Sequence, residues 1–279
     1  MTKIKRIGFQ GIEGAYGHQA LINFMNSNFT SCPFPTSQDL FHALEKNEID
    51  LGFIPVENSI VGNVSINTDL LYQYGFYAIA EHFHKISHCL LAPPFLKLEN
   101  IKKVYSHPIA LAQCDLFLKK HHILGIPDYD TAGAAKKISQ EATKDSAAIC
   151  SEICGPLYSL KILSKDIQNT YVNYTRFLMF KKSLVKKNEE VEDKVILAFE
   201  TEHKSGALLR VLQTFGSFRL NLTKIESRPK PDDPFSYIFF LELDGELHDP
   251  VYQECLSILK TQVAKIKILG SFKKGLLPS

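Results

Sequence analysis

Thr175-Arg176-Phe177 sets a hydroxyl, a guanidinium and an aromatic ring in consecutive positions. The planar fork of an arginine between threonine and phenylalanine can be presented to a carboxylate. An exposed edge-strand arginine beside a buried phenylalanine reads the same way. Glu57-Asn58-Ser59 follows a short apolar run at Asp50–Ile54. In open α/β sheets ligands bind beyond the carboxyl ends of strands, where an ordinary polar turn can also stand. Ser106-His107-Pro108 lies at another strand-to-helix junction, either as donors aimed at the same cleft or as a helix cap. The run from Gly11 to Gly17 has glycines at 11, 14 and 17. It lacks the G-x-G-x-x-G spacing of a dinucleotide site. A tight turn, or helix N-terminal N–H groups that bind a ligand carboxylate, fits it better.

The remaining chemistry-bearing residues point away from metals. His82 and His84 share one face of a strand, with His88 nearby. Only Glu81 and Cys89 could join them, so a solvated face is expected rather than a ligand set. Cys150-x-x-x-Cys154 has no partner pair for zinc. The chain has neither a G-x-S-x-G elbow nor a Walker loop.

The elements that would position these residues alternate. Strands are expected at Ile4–Phe9, Asp50–Ile54, Phe76–Ala92, Lys102–Tyr105, Ala147–Cys150 and Tyr171–Phe180. Helices are expected after the Gly-rich turn, from a Ser37 cap, from Pro108, from Thr131 and near Ile153–Leu157. Such alternation predicts parallel sheets. Lys181–Asp193 is the sharpest change in composition and marks a boundary between domains at 1–182 and 194–271. The second domain reads as strand Lys194–Glu200, a helix from Ser205, strand Asn221–Ser227, a Pro229–Pro234 turn, strand Phe235–Leu243, helix Pro250–Lys260 and strand Ala264–Leu269. That order is β-α-β-β-α-β, the α+β ferredoxin-like motif.

Composition limits the partners. The 279 residues carry Lys+Arg 32 against Asp+Glu 30, a net charge of +2. A nucleic-acid binder concentrates basic residues, whereas here the short run Lys181-Lys182 with Lys186-Lys187 reads as a solvated linker. No apolar stretch approaches the roughly 18 residues of a membrane span, and Met1-Thr2-Lys3-Ile4 opens no signal segment. The six cysteines are scattered beside apolar residues, as buried reduced thiols would be. A soluble, cytoplasmic chain with no nucleic-acid or membrane partner is expected.

Taken in order, the motifs resemble the prephenate dehydratase family. Pro55–Val64 is similar to its PxENSxxGxV segment, and Ser106-His107-Pro108 with Ala110–Cys114 to its SHPQALxQC segment. Thr131–Ala135, Asn173–Phe177 and His88–Leu91 resemble its TAxAA, NxTRF and HxLL segments. Gly206-Ala207-Leu208 and Asn221–Pro229 resemble the GAL and NLTKIESRP segments of its ACT regulatory domain. The chain departs from the pattern at Ile109, where glutamine is usual, at Asn169, where aspartate is common, and at Gly17-His18, which replace a hydroxyl-bearing residue. These changes are expected to alter rate or affinity rather than reaction class.

The resemblance implies a periplasmic-binding-protein-like catalytic domain of two lobes. One holds residues 1–80 and the strand near Tyr171–Phe180, and the other holds the middle of the chain. The implied reaction removes CO2 and hydroxide from prephenate to give phenylpyruvate, with neither metal nor redox cofactor. Thr175 assists the leaving group, Arg176 holds a carboxylate and Phe177 packs against the ring. Asn58, Ser59, Ser106 and His107 bind substrate. Glu57 is either protonated near the dianion or turned into a hinge network. Phenylalanine is the implied effector, at Gly206, Ala207, Leu208, Asn221, Glu226, Ser227 and Arg228. An effector site between two ACT domains implies a homodimer or homotetramer. Without a chorismate mutase helix before the first strand, the monofunctional form is expected. Arogenate dehydratase remains an alternative. So does a non-catalytic amino-acid sensor, against which Thr175-Arg176-Phe177 argues.

Overall fold

The computed structural model describes residues 4–26, 28–141, 143–182, 192–230 and 233–278. The charged boundary segment therefore lies mostly outside the described residues, as does the middle of the Pro229–Pro234 turn. In chain order the elements begin with β1 (Lys5–Gln10), α1 (Tyr16–Met25), β2 (Phe29–Phe34), α2 (Ser37–Glu45), β3 (Leu51–Asn58), β4 (Gly62–Asn63), α3 (Ser65–Tyr74), β5 (Tyr77–Lys85) and β6 (Cys89–Ala92). Next come β7 (Lys103–Ser106), α4 (Pro108–Gln113), α5 (Asp115–Lys120), β8 (Leu124–Pro127), α6 (Thr131–Glu141), β9 (Ser146–Cys150), α7 (Cys154–Tyr158), β10 (Lys161–Ser164) and β11 (Tyr174–Lys181). The chain ends with β12 (Lys194–Glu200), α8 (Ala207–Ser217), β13 (Leu222–Lys230), β14 (Asp233–Asp244), α9 (Pro250–Gln262) and β15 (Lys265–Phe272).

Contacts divide the chain into two units. One holds residues 1–64, 82–177 and 277–279; the other holds 65–81 and 178–276. The first unit has two α/β lobes. In its first lobe β1 lies parallel to β2 and to β3, with Ile7 and Phe9 of β1 fully buried. In its second lobe the strand order is β10-β6-β9-β7-β8. There β7 is parallel to β8 and β9, while β6 is antiparallel to β9 and β10. All five residues of β9 are buried, which is why its sequence is continuously small and apolar rather than alternating.

Several local expectations change. The Glu57-Asn58 segment is not loop but the end of β3, because β4 folds back on it and pairs Glu57 with Asn63 and Asn58 with Gly62. Helix α2 is capped by Thr36, whose hydroxyl accepts from the Asp39 N–H, rather than by Ser37. The short strands β2, β8 and β10 and helix α3 carry weak sequence patterns and stand outside the expected elements.

The second unit contains the β-α-β-β-α-β order as expected. Strands β13-β14-β12-β15 form adjacent antiparallel pairs. Val195, Leu197, Phe215, Leu241 and Tyr252 pack into one core under α8 and α9. Helix α3 belongs to this unit as well: the Tyr72 hydroxyl donates to Glu200, and Lys267 Nζ donates to the Tyr72 carbonyl at 2.8 Å. Among the described residues no helix is long and apolar enough to cross a membrane.

Candidate active site

Strand alternation decides what β11 shows to each side. Thr175 and Phe177 share one face and line a cavity of about 480 Å³ in the first unit. Arg176, between them, turns to the opposite face. The Phe177 ring stacks on Phe53 of β3, with centroids 4.9 Å apart and planes at 3°. The two rings make an apolar wall beside the Thr175 hydroxyl. Further lining comes from the end of β1, the starts of α1, α4 and α6, Pro55 and Asn58 of β3, the Val61–Val64 segment, and Ile86, His88, Gln113 and Asn173.

Asn58 holds the reacting end of the wall together. Its Oδ1 accepts from the backbone N–H groups of Ile60 and Val61 at 3.0 and 2.9 Å. Its Nδ2 lies 3.0 Å from Thr175 Oγ1 and 2.9 Å from Asn173 Oδ1. Thr175 thus receives a hydrogen bond through its oxygen. Its own O–H is left to point elsewhere, and the open direction is the cavity.

The expected site residues divide by position. Asn58, His107, Thr175 and Phe177 line the cavity; among the described residues Glu57, Ser59, Ser106 and Arg176 do not. Ser106 is fully buried and donates to the Ile149 carbonyl at 2.6 Å, tying β7 to β9. Ser59 is exposed and exchanges hydrogen bonds with Tyr174, its N–H to the Tyr174 carbonyl and the Tyr174 N–H to its Oγ, both 2.9 Å. Arg176 Nη1 sits 3.7 Å from Glu57 Oε2, so these two charges face each other rather than the cavity. His107 caps α4, its Nδ1 accepting from the Ile109 N–H at 3.2 Å.

Sequence reasoning left out Tyr16, His88, Gln113 and Asn173 as site residues. All four line the cavity. The signal was present, since three of them stand inside the family-like segments, but their roles depend on contacts between remote positions. The expected solvated histidine face is corrected as well. His84 is 7% exposed and His88 2%. Burial lowers the pKa of His88 and, with a smaller contribution from neighbouring His82, takes His84 down to about 4.

The Gly-rich turn joins the two lobes. Gly11 and Gly14 have φ of +104° and +90°, a region that disfavours side chains. A Cβ on Gly14 would stand 2.8 Å from Cys154 Sγ. The Gly14 carbonyl accepts from Ser151 and Cys154, and the Tyr158 hydroxyl donates to the Glu13 carbonyl at 2.5 Å. The Gly14 N–H is committed to His18 Nδ1 at 3.1 Å, so it is not the ligand donor the spacing suggested. Gly17, in the first turn of α1, does line the cavity.

The second unit has a smaller cavity of about 150 Å³, lined by Ala207 and Leu208 with Glu202, Lys204, Tyr237 and others. Gly206 stands at the start of α8 with φ +77°. Of the other effector candidates, Asn221 donates to Asp244 Oδ2 at 2.9 Å, and Arg228 pairs with Glu226 and approaches Asp69 at 4.0 Å. Ser227, in β13, faces Phe239 of β14 across the ladder.

A two-lobed α/β enzyme cleft with an oriented hydroxyl is the class that this architecture defines. Residues 7–184 match the family model described as prephenate dehydratase. An Arabidopsis thaliana protein named arogenate dehydratase/prephenate dehydratase 2, chloroplastic, is 34% identical over 96% of this chain and 72% of that protein. The solved prephenate dehydratase of Arthrobacter aurescens, in complex with L-Phe, superposes with a TM-score of 0.87 at 27% identity, covering 96% of this chain and 90% of that one. A structure described as GqqA, a novel type of quorum quenching acylase, superposes at 0.90 with 26% identity, covering 97% and 98%. The chain belongs to the prephenate dehydratase family.

Proposed function

We propose that the cavity of the first unit converts prephenate to phenylpyruvate, CO2 and water. The ring carboxylate leaves as CO2. The electrons of its C–C bond enter the ring and expel the C4 hydroxyl, which departs as water after gaining a proton. Aromatisation drives the step, and the enzyme's task is to ease a poor leaving group and orient two carboxylates. One observation carries the reading. Thr175 Oγ1 accepts from Asn58, so its O–H is available on the cavity side to donate to the departing hydroxyl. Such assistance is typically worth roughly 10²–10⁴-fold. The Phe53–Phe177 stack gives the ring an apolar surface and keeps water away.

The anionic groups meet partial positive charge rather than a lining arginine. The starts of α1 and α6 face the cavity through Tyr16, Gly17 and Thr131, and unpartnered N–H groups at helix starts favour anions. Asp130 also lines the cavity, but its carboxylate is occupied in capping α6, where it accepts from the Gly133 N–H at 2.6 Å. His107 adds a polar edge. Arg176 and Glu57 brace the ends of β11 and β3 from behind, and Ser59 and Ser106 hold the backbone that carries the site. Steady-state turnover of prephenate and of arogenate, followed by product absorbance, tests the reading. Conversion of prephenate is expected, a higher kcat/KM for arogenate moves the assignment to the amino substrate, and turnover of neither overturns it.

The second unit is proposed to hold an ACT regulatory domain at 194–271, following a catalytic domain at 1–182. It would bind phenylalanine in a homodimer or homotetramer in the cytoplasm. Supporting this are the β-α-β-β-α-β order, the Gly206 start of α8 suited to an amino-acid carboxylate, and the L-Phe complex of the Arthrobacter relative. Phenylalanine titration should lower activity and change sedimentation; no change in either contradicts it.

A further inference from the structure

Two backbone N–H groups fix the polarity of a hydrogen-bonded line that runs from Thr175 to Tyr16. The N–H groups of Ile60 and Val61 point at Asn58 Oδ1. A backbone N–H can only donate, so the other end of Asn58, Nδ2, faces Asn173 Oδ1 and Thr175 Oγ1. The Tyr174 carbonyl oxygen, 3.2 Å from the same nitrogen, agrees. Asn173 must then turn its own Nδ2 to Gln113 Oε1, 3.2 Å away. His88 Nε2 lies 2.7 Å from that same oxygen, so the imidazole carries its proton on Nε2. Nδ1 is left to accept, and the Tyr16 hydroxyl stands 2.5 Å from it as the donor. The orientation of each amide and the tautomer of the ring follow from two groups whose roles are unambiguous.

We infer that Tyr16 and His88 are positioning residues for the reaction proposed above. Through the Nε2–H they hold the Gln113 carbonyl oxygen in the cavity wall and so aim its NH2 into the cavity, as a donor to an anionic oxygen of the substrate. The line from Ile60 and Val61 sets the tautomer, and the Tyr16 hydroxyl steadies it by donating to Nδ1. The other neutral form would set the bare Nε2 lone pair against Gln113 Oε1 and favour turning the amide over, presenting an oxygen to an anion. Burial keeps His88 neutral, with its pKa lowered.

A carboxylate is present in the ground state and the transition state alike, so loss of its donor raises KM more than it lowers kcat. Gln113→Leu and His88→Phe should each raise KM for prephenate about tenfold, as for a hydrogen bond to a charged group, with kcat near wild type. The double variant should be no worse than either single change, because one residue acts through the other. Tyr16→Phe keeps the ring and its packing, and should give a milder rise in KM. Independent, multiplicative effects of His88→Phe and Gln113→Leu overturn the inference, as does a fall in kcat at unchanged KM. Imidazole nitrogen-15 NMR of the wild-type chain near neutral pH reads the tautomer without turnover, with the His88 signals identified by their loss in His88→Phe. A proton on Nε2 with bare Nδ1 is expected; the Nδ1–H form or an imidazolium overturns it. A folded wild-type chain inert to prephenate counts against the proposed reaction, and the tautomer still decides the positioning.

Discussion

The cavity wall of the first unit and the charged cluster of the second solve the burial of polar groups in opposite ways. The wall uses neutral amides, hydroxyls and a neutral imidazole, each oriented by the next, from Asn58 to Tyr16. The cluster uses full charges. Lys194 Nζ lies 3.0 Å from Glu81 and 3.3 Å from Glu242, with side chains 10%, 1% and 11% exposed. Glu200 likewise meets Lys230 at 2.9 Å and the Tyr72 hydroxyl. Neutral groups lose less solvation on burial, and their value lies in direction. Buried charges are tolerated only when balanced, so their removal acts on stability before geometry. Substitutions should therefore change chemistry in one region and folding in the other.

The largest separation is expected from Thr175→Val, which keeps the shape and removes the hydroxyl. Its kcat should fall by roughly 10²–10⁴-fold with the thermal midpoint nearly unchanged; a wild-type rate would break the comparison at its strongest point. Lys194→Met should do the reverse. It removes the buried cation that faces Glu81 and Glu242 and should cost about 3 kcal/mol of stability in urea unfolding, with kcat near wild type at permissive temperature. A comparable loss of kcat would show that the charged cluster serves catalysis directly.

Acid should act on a buried neutral histidine of the first unit that lies outside the cavity lining. His84 has its folded pKa depressed from 6.5 to about 4. Because the unfolded chain takes up the proton first, the stability tied to a neutral His84 is complete above pH 6.5 and lost as pH falls towards 4. The expected loss is at most about 3 kcal/mol. Urea midpoints across that range should fall, and His84→Phe should flatten the slope; an unchanged slope would contradict the assignment. The smallest effect is expected for Arg176→Lys, which keeps the charge and loses the fork opposite half-exposed Glu57. A decrease of about threefold in kcat/KM is expected, because the pair is long at 3.7 Å and its Glu57 end is half-exposed although Arg176 is buried. A drop as deep as that of Thr175→Val would mean that Arg176 reaches the substrate.

Much of this arrangement is legible in the sequence. Runs such as Ala147–Cys150 show as short continuous apolar segments, the β-α-β-β-α-β order shows in hydrophobic patterning, and Thr175-Arg176-Phe177 stands out by its chemistry. The side on which each residue stands was less legible. Adjacent residues of a strand face opposite ways, so Thr175 and Arg176 could not both enter one cavity. Ser106 looked like a ligand donor because position does not reveal its bond to the Ile149 carbonyl. His88 looked solvated because its partners, Tyr16 and Gln113, lie far away in the chain. That residues 65–81 group with the C-terminal unit likewise rests on remote contacts such as Tyr72 with Glu200.

The central claim is that the neutral, oriented wall around Thr175 eases a coupled loss of carboxylate and hydroxyl from prephenate. Measuring CO2 release and phenylpyruvate formation together, with the purified wild-type chain, tests it most directly. The account predicts equal amounts of both for each prephenate consumed. CO2 without phenylpyruvate, or neither product from a folded chain, would contradict it.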